Sequence, residues 1–216
     1  MIEYSEDIAQ CPLCFADSIV FRAYIKKSYY NCLNCNGIFL PSRYHISHTE
    51  EKERYDKHNN DVADLNYQHF VSPIVEAILK KHTKDQKGLD FGAGPGPVIS
   101  VMLRNHNFDI IEYDPYYWNN TDLLAYQYDY IVCCEVMEHF NFPSESFKQL
   151  KNLLKPNGIL YCMTDLFDAH MSFDNWYYKN DVTHVFFYQK QTLEWIKEQY
   201  DFSELTVEGR LIRFVN

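Results

Sequence analysis

The chain has 216 residues, of which 46% are hydrophobic and 23% charged, and a formal net charge of -10. This composition indicates a globular protein with one substantial core and excludes a disordered, tail-like chain. The negative charge disfavours nonspecific binding to nucleic-acid backbones. No apolar run approaches the length of a membrane-spanning helix, and the acidic residues 1–7 do not resemble a signal peptide. We therefore expect a cytoplasmic protein without membrane contact.

Four cysteines near the N-terminus form two Cys-x-x-Cys pairs, Cys11 with Cys14 and Cys32 with Cys35, separated by 17 residues. This spacing is typical of a zinc ribbon, in which two tight turns provide four thiolates to one tetrahedral ion. Because residues 1–40 are too few to bury a sufficient core, a structural Zn2+ would contribute folding energy. A redox pair or two disulfides are the alternatives, and a reducing compartment disfavours disulfides.

Residues 41–60 are polar and charged, and we interpret them as a linker or as a lid over the domain that follows. Of their histidines, His45 and His48 are predicted to be surface residues. An amphipathic helical pattern covers 62–70, and Ser72-Pro73 is predicted to start a further helix.

Residues 61–216 alternate predicted strands and helices, which favours a parallel sheet covered on both faces. The predicted strands cover 89–91, 108–113 and 158–163, with another strand and its exit turn in 128–139; the predicted helices cover 97–105, 144–154 and 191–199, and 202–207 and 210–215 form a terminal hairpin. Cys133, Cys134 and Cys162 lie in apolar strands and are predicted to be core residues.

A glycine-rich turn follows the first of these strands, in the sequence Asp90-Phe91-Gly92-Ala93-Gly94-Pro95-Gly96. Three glycines at alternate positions indicate a sharp backbone turn beside a closely bound ligand. The pyrophosphate fingerprint of dinucleotide enzymes has its third glycine three residues after the second, whereas Gly94 and Gly96 are two apart. An ordinary glycine-rich turn is the alternative.

This Asp-x-Gly-x-Gly-x-Gly turn resembles motif I of the class I S-adenosylmethionine-dependent methyltransferases. The resemblance implies a cofactor site whose floor contains Asp90, Gly92, Ala93, Gly94 and Gly96. In this family a helical segment before the first strand crosses the cofactor cleft, which implies that His58, Asn59 and Tyr67 reach the cofactor. The alternative for this segment is a capped helix with a solvated start.

Asp114 ends the second strand about twenty residues after the glycine turn, where an acidic side chain can accept hydrogen bonds from ribose hydroxyls. The resemblance assigns this role to Asp114. Residues 128–139 resemble the family's fourth strand and the Glu-x-x-Glu-His signature after it. This implies that Cys134 and Glu135 approach the cofactor and that His139 faces the acceptor.

Residues 115–127 are too few for a crossover helix, another strand and their loops. The expected fold is therefore an α/β, doubly wound, Rossmann-like and mostly parallel sheet of the class I methyltransferase type, with its third strand abbreviated or missing and a small N-terminal zinc ribbon. The missing strand would lie at a sheet edge. Adenine recognition is unassigned, with Thr121, Asp122 and Leu123 as candidates.

Residues 165–190 are rich in aromatic side chains and lie where family members insert acceptor-binding segments. Trp176, Tyr177 and Tyr178 would exclude water or face the sulfonium. His184, three residues after Asp181, is a candidate general base or substrate anchor, as is His139. Packing of a lid is the alternative interpretation of this segment.

Together these patterns predict transfer of the S-adenosylmethionine methyl group to an unidentified, small-molecule acceptor, with His139, His184 and Tyr178 as catalytic candidates. Two alternatives stay open. In one, the ribbon recognises an RNA or protein acceptor, although residues 1–40 contain few basic side chains. In the other, the chain is a noncatalytic scaffold that binds the cofactor.

Overall fold

A computed structural model of the chain describes residues 8–57 and 61–216. Its strands are β1 (Ala9–Gln10), β2 (Asp17–Ala23), β3 (Ser28–Cys32), β4 (Ile38–Phe39), β5 (Lys87–Phe91), β6 (Asp109–Tyr113), β7 (Tyr128–Cys134), β8 (Leu154–Met163), β9 (Phe186–Phe187), β10 (Glu204–Glu208) and β11 (Leu211–Val215). Its α-helices are α1 (His48–Tyr55), α2 (Leu65–Lys81), α3 (Val98–Asn105), α4 (Pro143–Asn152) and α5 (Lys190–Gln199).

The larger sheet has six strands in the order β10-β11-β8-β7-β5-β6. β8, β7, β5 and β6 run parallel, and the hairpin of β10 and β11 joins β8 in antiparallel pairing. Strand β7 is central and almost wholly buried, as its apolar sequence requires when both faces are covered. The doubly wound, Rossmann-like sheet predicted from the sequence is confirmed.

β6 is an edge strand, as predicted for a sheet without the third strand. Residues 114–127 contain an isolated bridge between Asp114 and Trp118 and a short 3₁₀ helix, Thr121–Ala125, before β7 begins. Loss of an edge strand leaves every central pairing in place, so the sheet tolerates this deletion.

Helices cover both faces of the sheet. On one face, α2 and α3 bury Ile74, Ile78 and Leu103 against strand residues such as Val132. On the other face, α4 and α5 pack on a second apolar cluster. Complete burial of each such side chain contributes about 1.5–3 kcal/mol. Helix α2 runs continuously through Pro73, whereas the sequence predicted a new helix at that point.

The N-terminal segment forms a second sheet in the order β1-β2-β3-β4-β9. Its last strand comes from the aromatic segment, with Ile38 paired to Phe187 and Phe39 to Phe186. A Cβ atom at Gly37 would lie 2.3 Å from the Phe186 ring, so this approach requires glycine. Residues 8–40 are therefore joined to residues 165–190 by backbone pairing as well as by side-chain packing.

Within the described residues, no helix is both long enough and apolar enough to cross a membrane.

Candidate active site

A cleft of about 1080 Å3 lies at the carboxyl ends of β5, β6 and β7. This slightly exceeds the usual range for small-molecule sites, about 300–1,000 Å3, and the carboxyl edge of a parallel sheet is where such sites form. The lining includes these predicted cofactor residues: Asp90, Gly92, Ala93, Gly94, Gly96, Asp114, Cys134 and Glu135. His139, His184 and Tyr67 line the same cleft. His58 and Asn59 lie outside the described residues.

The glycine turn adopts a backbone that only glycine accommodates without strain at two positions. Gly92 has φ +80° and Gly94 has φ +63°. A Cβ atom on Gly92 would also lie 2.6 Å from a methyl group of Val136, so any larger residue would displace Val136 in the turn that follows β7. Ser100 donates a hydrogen bond to Asp90 at 2.8 Å, which ties the end of β5 to α3. Burial raises the pKa of Asp90 to about 7.

Asp114 lies beside this turn. Its Oδ2 accepts a hydrogen bond from the backbone N–H of Gly94 at 3.0 Å, and its Oδ1 accepts from the N–H groups of Tyr116 and Tyr117 at 2.8 and 3.1 Å. The Trp118 indole N–H donates to the Gly94 carbonyl at 2.7 Å. A carboxylate has about four acceptor positions, so three N–H donors leave capacity for a ligand hydroxyl. This arrangement leaves the Asp114 carboxylate able to accept a hydrogen bond from a ribose hydroxyl at the turn.

The shortened connection after Asp114 contributes two parts of the cleft wall, residues 115–117 and 124–127. Thr121, Asp122 and Leu123, the candidates for adenine contact, are not among the lining residues.

Helix α1 contributes His48, Glu51 and Tyr55 to the wall of the cleft. Its Glu51 accepts a hydrogen bond from the Tyr116 hydroxyl at 2.6 Å, and the His48 Nδ1 lies 2.9 Å from the same hydroxyl oxygen. A further contact joins Arg54 to Asp181 at 2.8 Å. The sequence predicted a linker or lid here and a surface position for His48, and its side chain is exposed as predicted; its contact with Tyr116 was not predicted. Its contact lies 68 positions away in the chain, and no local pattern marks it.

Glu135 occupies the exit turn of β7 with φ +52°. Its carboxylate forms two hydrogen bonds with Arg210, at 2.6 and 2.7 Å, and its Oε2 lies 3.0 Å from the Tyr178 hydroxyl oxygen. Burial and the neighbouring Glu138 raise the pKa of Glu135 to about 7, against the opposing effect of Arg210. Sequence reasoning missed Arg210, since the β10–β11 turn that carries it has no recognisable motif.

Tyr178 lies behind the cleft wall rather than at its surface. It is 5% exposed, and its hydroxyl donates a short hydrogen bond to Glu138 Oε1 and lies 3.0 Å from the Thr164 hydroxyl. Burial raises the pKa of Tyr178 well above its usual range. None of Trp176, Tyr177 and Tyr178 lines the cleft. Direct contact of these aromatics with a sulfonium is therefore not a feature of this geometry.

His139 and His184 lie side by side, with ring centroids 4.7 Å apart. The His139 Nδ1 lies 3.0 Å from the Thr183 carbonyl oxygen, and the His184 Nδ1 lies 2.7 Å from the Tyr178 carbonyl oxygen. Burial lowers the pKa of His139. The carboxylate of Asp181, three residues before His184, forms an ion pair with Arg54. The carboxylate near both imidazoles is Glu138.

The four N-terminal cysteines form a separate cluster, with all four Sγ atoms within 4.8 Å of one another. Cys11 and Cys35 are 3.6 Å apart and Cys14 and Cys32 are 3.2 Å apart, measured between Sγ atoms. Four thiolates at about 2.3 Å from one tetrahedral ion would be separated by about 3.8 Å. The cluster therefore fits a zinc site with four cysteine ligands, and all four cysteines are free of disulfides.

Comparison with known proteins places this fold in a family. Residues 63–207, more than half of the chain, match the family described as "Methyltransferase domain". No curated protein matches the chain in sequence.

Solved structures resemble the chain in fold. An O-methyltransferase family protein from Burkholderia thailandensis has 11% identity and a TM-score of 0.53, over 76% of this chain and 61% of that one. Human N-acetylserotonin methyltransferase, in a complex with S-adenosylmethionine, has 11% identity and a TM-score of 0.52, over 69% of this chain and 53% of that one. The chain thus spans between half and two thirds of the length of these two structures. At such identities the likeness establishes the class I fold alone, and it is the sequence match over 63–207 that shows that the chain belongs to the methyltransferase domain family.

Proposed function

We propose that the protein binds S-adenosylmethionine in the cleft and transfers its sulfonium methyl group to a small-molecule acceptor. The observation that carries the proposal is the hydrogen bond between Gly94 and Asp114, in a chain of the methyltransferase domain family. It joins the glycine turn to the acid at the end of β6, as a nucleoside site at the carboxyl edge requires.

Each wall of the cleft has a role in this proposal. The backbone of Gly92–Gly96 forms the floor, Asp114 accepts a ribose hydroxyl, and Cys134 and Glu135 border the methionine side. When bound, S-adenosylmethionine supplies an electrophilic methyl group. The residues of the cleft would accelerate its transfer chiefly by holding acceptor, methyl carbon and sulfur in line.

The lid supports a small acceptor. Helix α1 is fixed over the cleft by its bonds to Tyr116, and a cleft volume of about 1080 Å3 suits two small molecules better than a polymer. N-acetylserotonin methyltransferase, which has the same fold, is named for a small-molecule acceptor.

His139 and His184 would face the acceptor, because they line the cleft beside the Glu135 turn. We assign them to acceptor binding or to removal of its proton. Tyr178 is a positioning residue in this scheme, since it contacts Glu135 and Glu138 behind the wall.

We also propose that four cysteines bind a structural Zn2+: Cys11, Cys14, Cys32 and Cys35. The distances among their sulfur atoms support this, and four thiolates would leave the ion no open coordination position. The pairing of β4 with β9 would make this ion a support for the acceptor wall. An RNA or protein acceptor recognised by the ribbon, and a scaffold without catalysis, stay as alternatives. The cytoplasmic location also stays a prediction, to be checked by cell fractionation.

Isothermal titration calorimetry with S-adenosylmethionine and S-adenosylhomocysteine tests the proposal. We expect both to bind with one site per chain, and no binding by either at millimolar concentration would contradict it. A screen of acceptors with methyl-labelled cofactor then separates the alternatives. Label in small molecules supports the proposal, label confined to RNA or protein favours ribbon recognition, and binding without turnover favours a scaffold.

A further inference from the structure

Glu138, His139 and His184 bring one carboxylate and two imidazoles together at the cleft wall. One ligand atom from each lies within 4.8 Å of the others. The Nε2 atoms of both histidines are 4.0 Å from Glu138 Oε1. Two ligand atoms bonded at about 2.1 Å to one tetrahedral ion are separated by about 3.4 Å, so each imidazole would have to approach Glu138 Oε1 by about 0.6 Å to share an ion with it.

The orientation of both rings is that of metal ligands. Each Nδ1 faces a backbone carbonyl, of Thr183 for His139 and of Tyr178 for His184, and a carbonyl can only accept. Each Nδ1 therefore donates the hydrogen bond, so the neutral form of each ring has its lone pair on Nε2, the atom that lies 4.0 Å from Glu138 Oε1. A backbone carbonyl that fixes the tautomer of an imidazole in this way is the usual partner of a metal-bound histidine.

Glu138 supplies an independent indication of a missing cation. Its side chain is 0% exposed, and among the described residues no group forms a hydrogen bond with its Oε2, while its Oε1, the atom near both imidazoles, accepts from Tyr178. The nearby guanidinium of Arg210 is already paired with Glu135 in two hydrogen bonds. A buried carboxylate with an unpartnered oxygen is costly unless a proton or a cation offsets its charge, and a cation would also occupy the neighbouring imidazoles.

We propose that Glu138, His139 and His184 bind a divalent transition-metal ion of the class of Zn2+, Fe2+ or Mn2+, separate from the ion of the cysteine cluster. Two imidazoles and one carboxylate are a ligand set of catalytic metal sites, because three protein ligands leave positions open. Tyr178 would position Glu138 through its short hydrogen bond.

The use of this ion toward an acceptor rests on the proposed function, whereas its binding does not. An acceptor hydroxyl bound to the ion would lose its proton to water at neutral pH, since a divalent ion lowers the pKa of a bound hydroxyl. The resulting oxygen would attack the methyl carbon, the carbon–sulfur bond would break, and its electron pair would stay on sulfur. The products are a methyl ether and S-adenosylhomocysteine. In this scheme neither histidine is a general base.

Metal content measured on the full-length protein tests the site. The protein is dialysed in turn against Zn2+, Fe2+ and Mn2+, washed free of unbound ion and analysed by mass spectrometry for bound metal. We expect one ion in addition to that of the cysteine cluster. Glu138→Gln and His184→Ala should bind the added ion more than about 100-fold more weakly and lose it on washing. Tyr178→Phe should weaken binding of this ion about 10- to 100-fold. His106→Ala, at an exposed histidine just after α3, is the matched control and should keep it.

Equal metal content in wild type, Glu138→Gln and His184→Ala would overturn the proposal. Far-ultraviolet circular dichroism and thermal unfolding identify variants that fail to fold, and His139→Asn provides a smaller change at the same site. The measurement uses neither cofactor nor acceptor. Binding of the added ion without binding of S-adenosylmethionine would therefore support the metal site and contradict the proposed methyl transfer. Binding of S-adenosylmethionine without the added ion would contradict the metal site and leave the proposed methyl transfer standing.

Discussion

The backbone N–H of Gly94 donates a hydrogen bond to the carboxylate of Asp114 at 3.0 Å, across the gap between the ends of β5 and β6. This bond holds the glycine turn in register with the acid that we assign to the ribose. Because Asp114 also accepts two N–H groups from the following turn, the carboxylate is fixed before any ligand arrives.

Asp114→Asn should weaken S-adenosylmethionine binding about 10- to 100-fold, since hydrogen bonds to a charged group contribute about 1.5–3 kcal/mol and an amide presents only one acceptor oxygen. Calorimetry measures the change. Asp109→Asn, at the exposed opposite end of β6, removes the same charge and should bind normally. Unchanged affinity in Asp114→Asn would remove Asp114 from the cofactor site.

Tyr116→Phe tests the lid. The change removes the hydroxyl that contacts both Glu51 and His48, which should destabilise the closed lid by about 1–2 kcal/mol. We expect S-adenosylhomocysteine to dissociate roughly 5- to 30-fold faster in stopped-flow measurements, and amide hydrogens of α1 to exchange faster. Tyr24→Phe is the control, because it removes an exposed hydroxyl hydrogen bond, to Asp174, from a residue that does not line the cleft. Equal dissociation rates in the two variants would mean that α1 does not gate the cleft.

Patterns that are local in sequence predicted much of this molecule. The glycine turn, Asp114 and the absent third strand follow from spacing along fewer than about forty residues, and the sheet order agrees with them. Periodicity was less reliable at Pro73, where packing of α2 on the sheet carries the helix through a proline.

Long-range pairings could not be predicted in this way. Arg210 binds Glu135 across 75 positions, and β9 joins the sheet of the N-terminal segment from a distant part of the chain. The sequence near each partner has no feature that specifies the other. Tyr178 illustrates the same limit, since its place in the aromatic segment suggested contact with the acceptor, whereas its hydroxyl lies behind the wall on Glu138.

Asp90→Asn should change the pH dependence of stability. Burial raises the folded-state pKa of Asp90 to about 7, so the native protein holds a proton that the unfolded chain releases near pH 4. The free energy of unfolding therefore falls as pH rises from about 4 to 7. Above about pH 7 the native state carries the full cost of the buried, ionised Asp90 carboxylate. The asparagine can still accept the Ser100 hydrogen bond without carrying charge.

The free energy of unfolding of Asp90→Asn should thus equal that of wild type at about pH 4 and exceed it by up to about 4 kcal/mol at about pH 8. Urea unfolding without cofactor measures this difference. Asp109→Asn controls for the loss of one negative charge. A difference between Asp90→Asn and wild type that stays constant across this pH range would show that Asp90 does not titrate there.

Cys35→Ser tests whether the cysteine cluster supports the catalytic part of the chain. Loss of a structural ion should cost at least about 3 kcal/mol, or roughly 6–12 °C in melting temperature for a chain of this size. Because β4 pairs with β9, we expect one cooperative transition that includes the six-stranded sheet, together with loss of one zinc per chain. Differential scanning calorimetry and metal analysis measure both effects.

Leu33→Ala is the control for Cys35→Ser, because Leu33 is an exposed residue inside the same Cys-x-x-Cys turn and contributes no thiolate. This variant should change neither the melting temperature nor the zinc content. A separate low-temperature transition for the N-terminal segment in Cys35→Ser, with the main transition unmoved, would mean that the ribbon folds independently. The acceptor wall would then stay intact when the ribbon unfolds, against the support that the pairing of β4 with β9 implies.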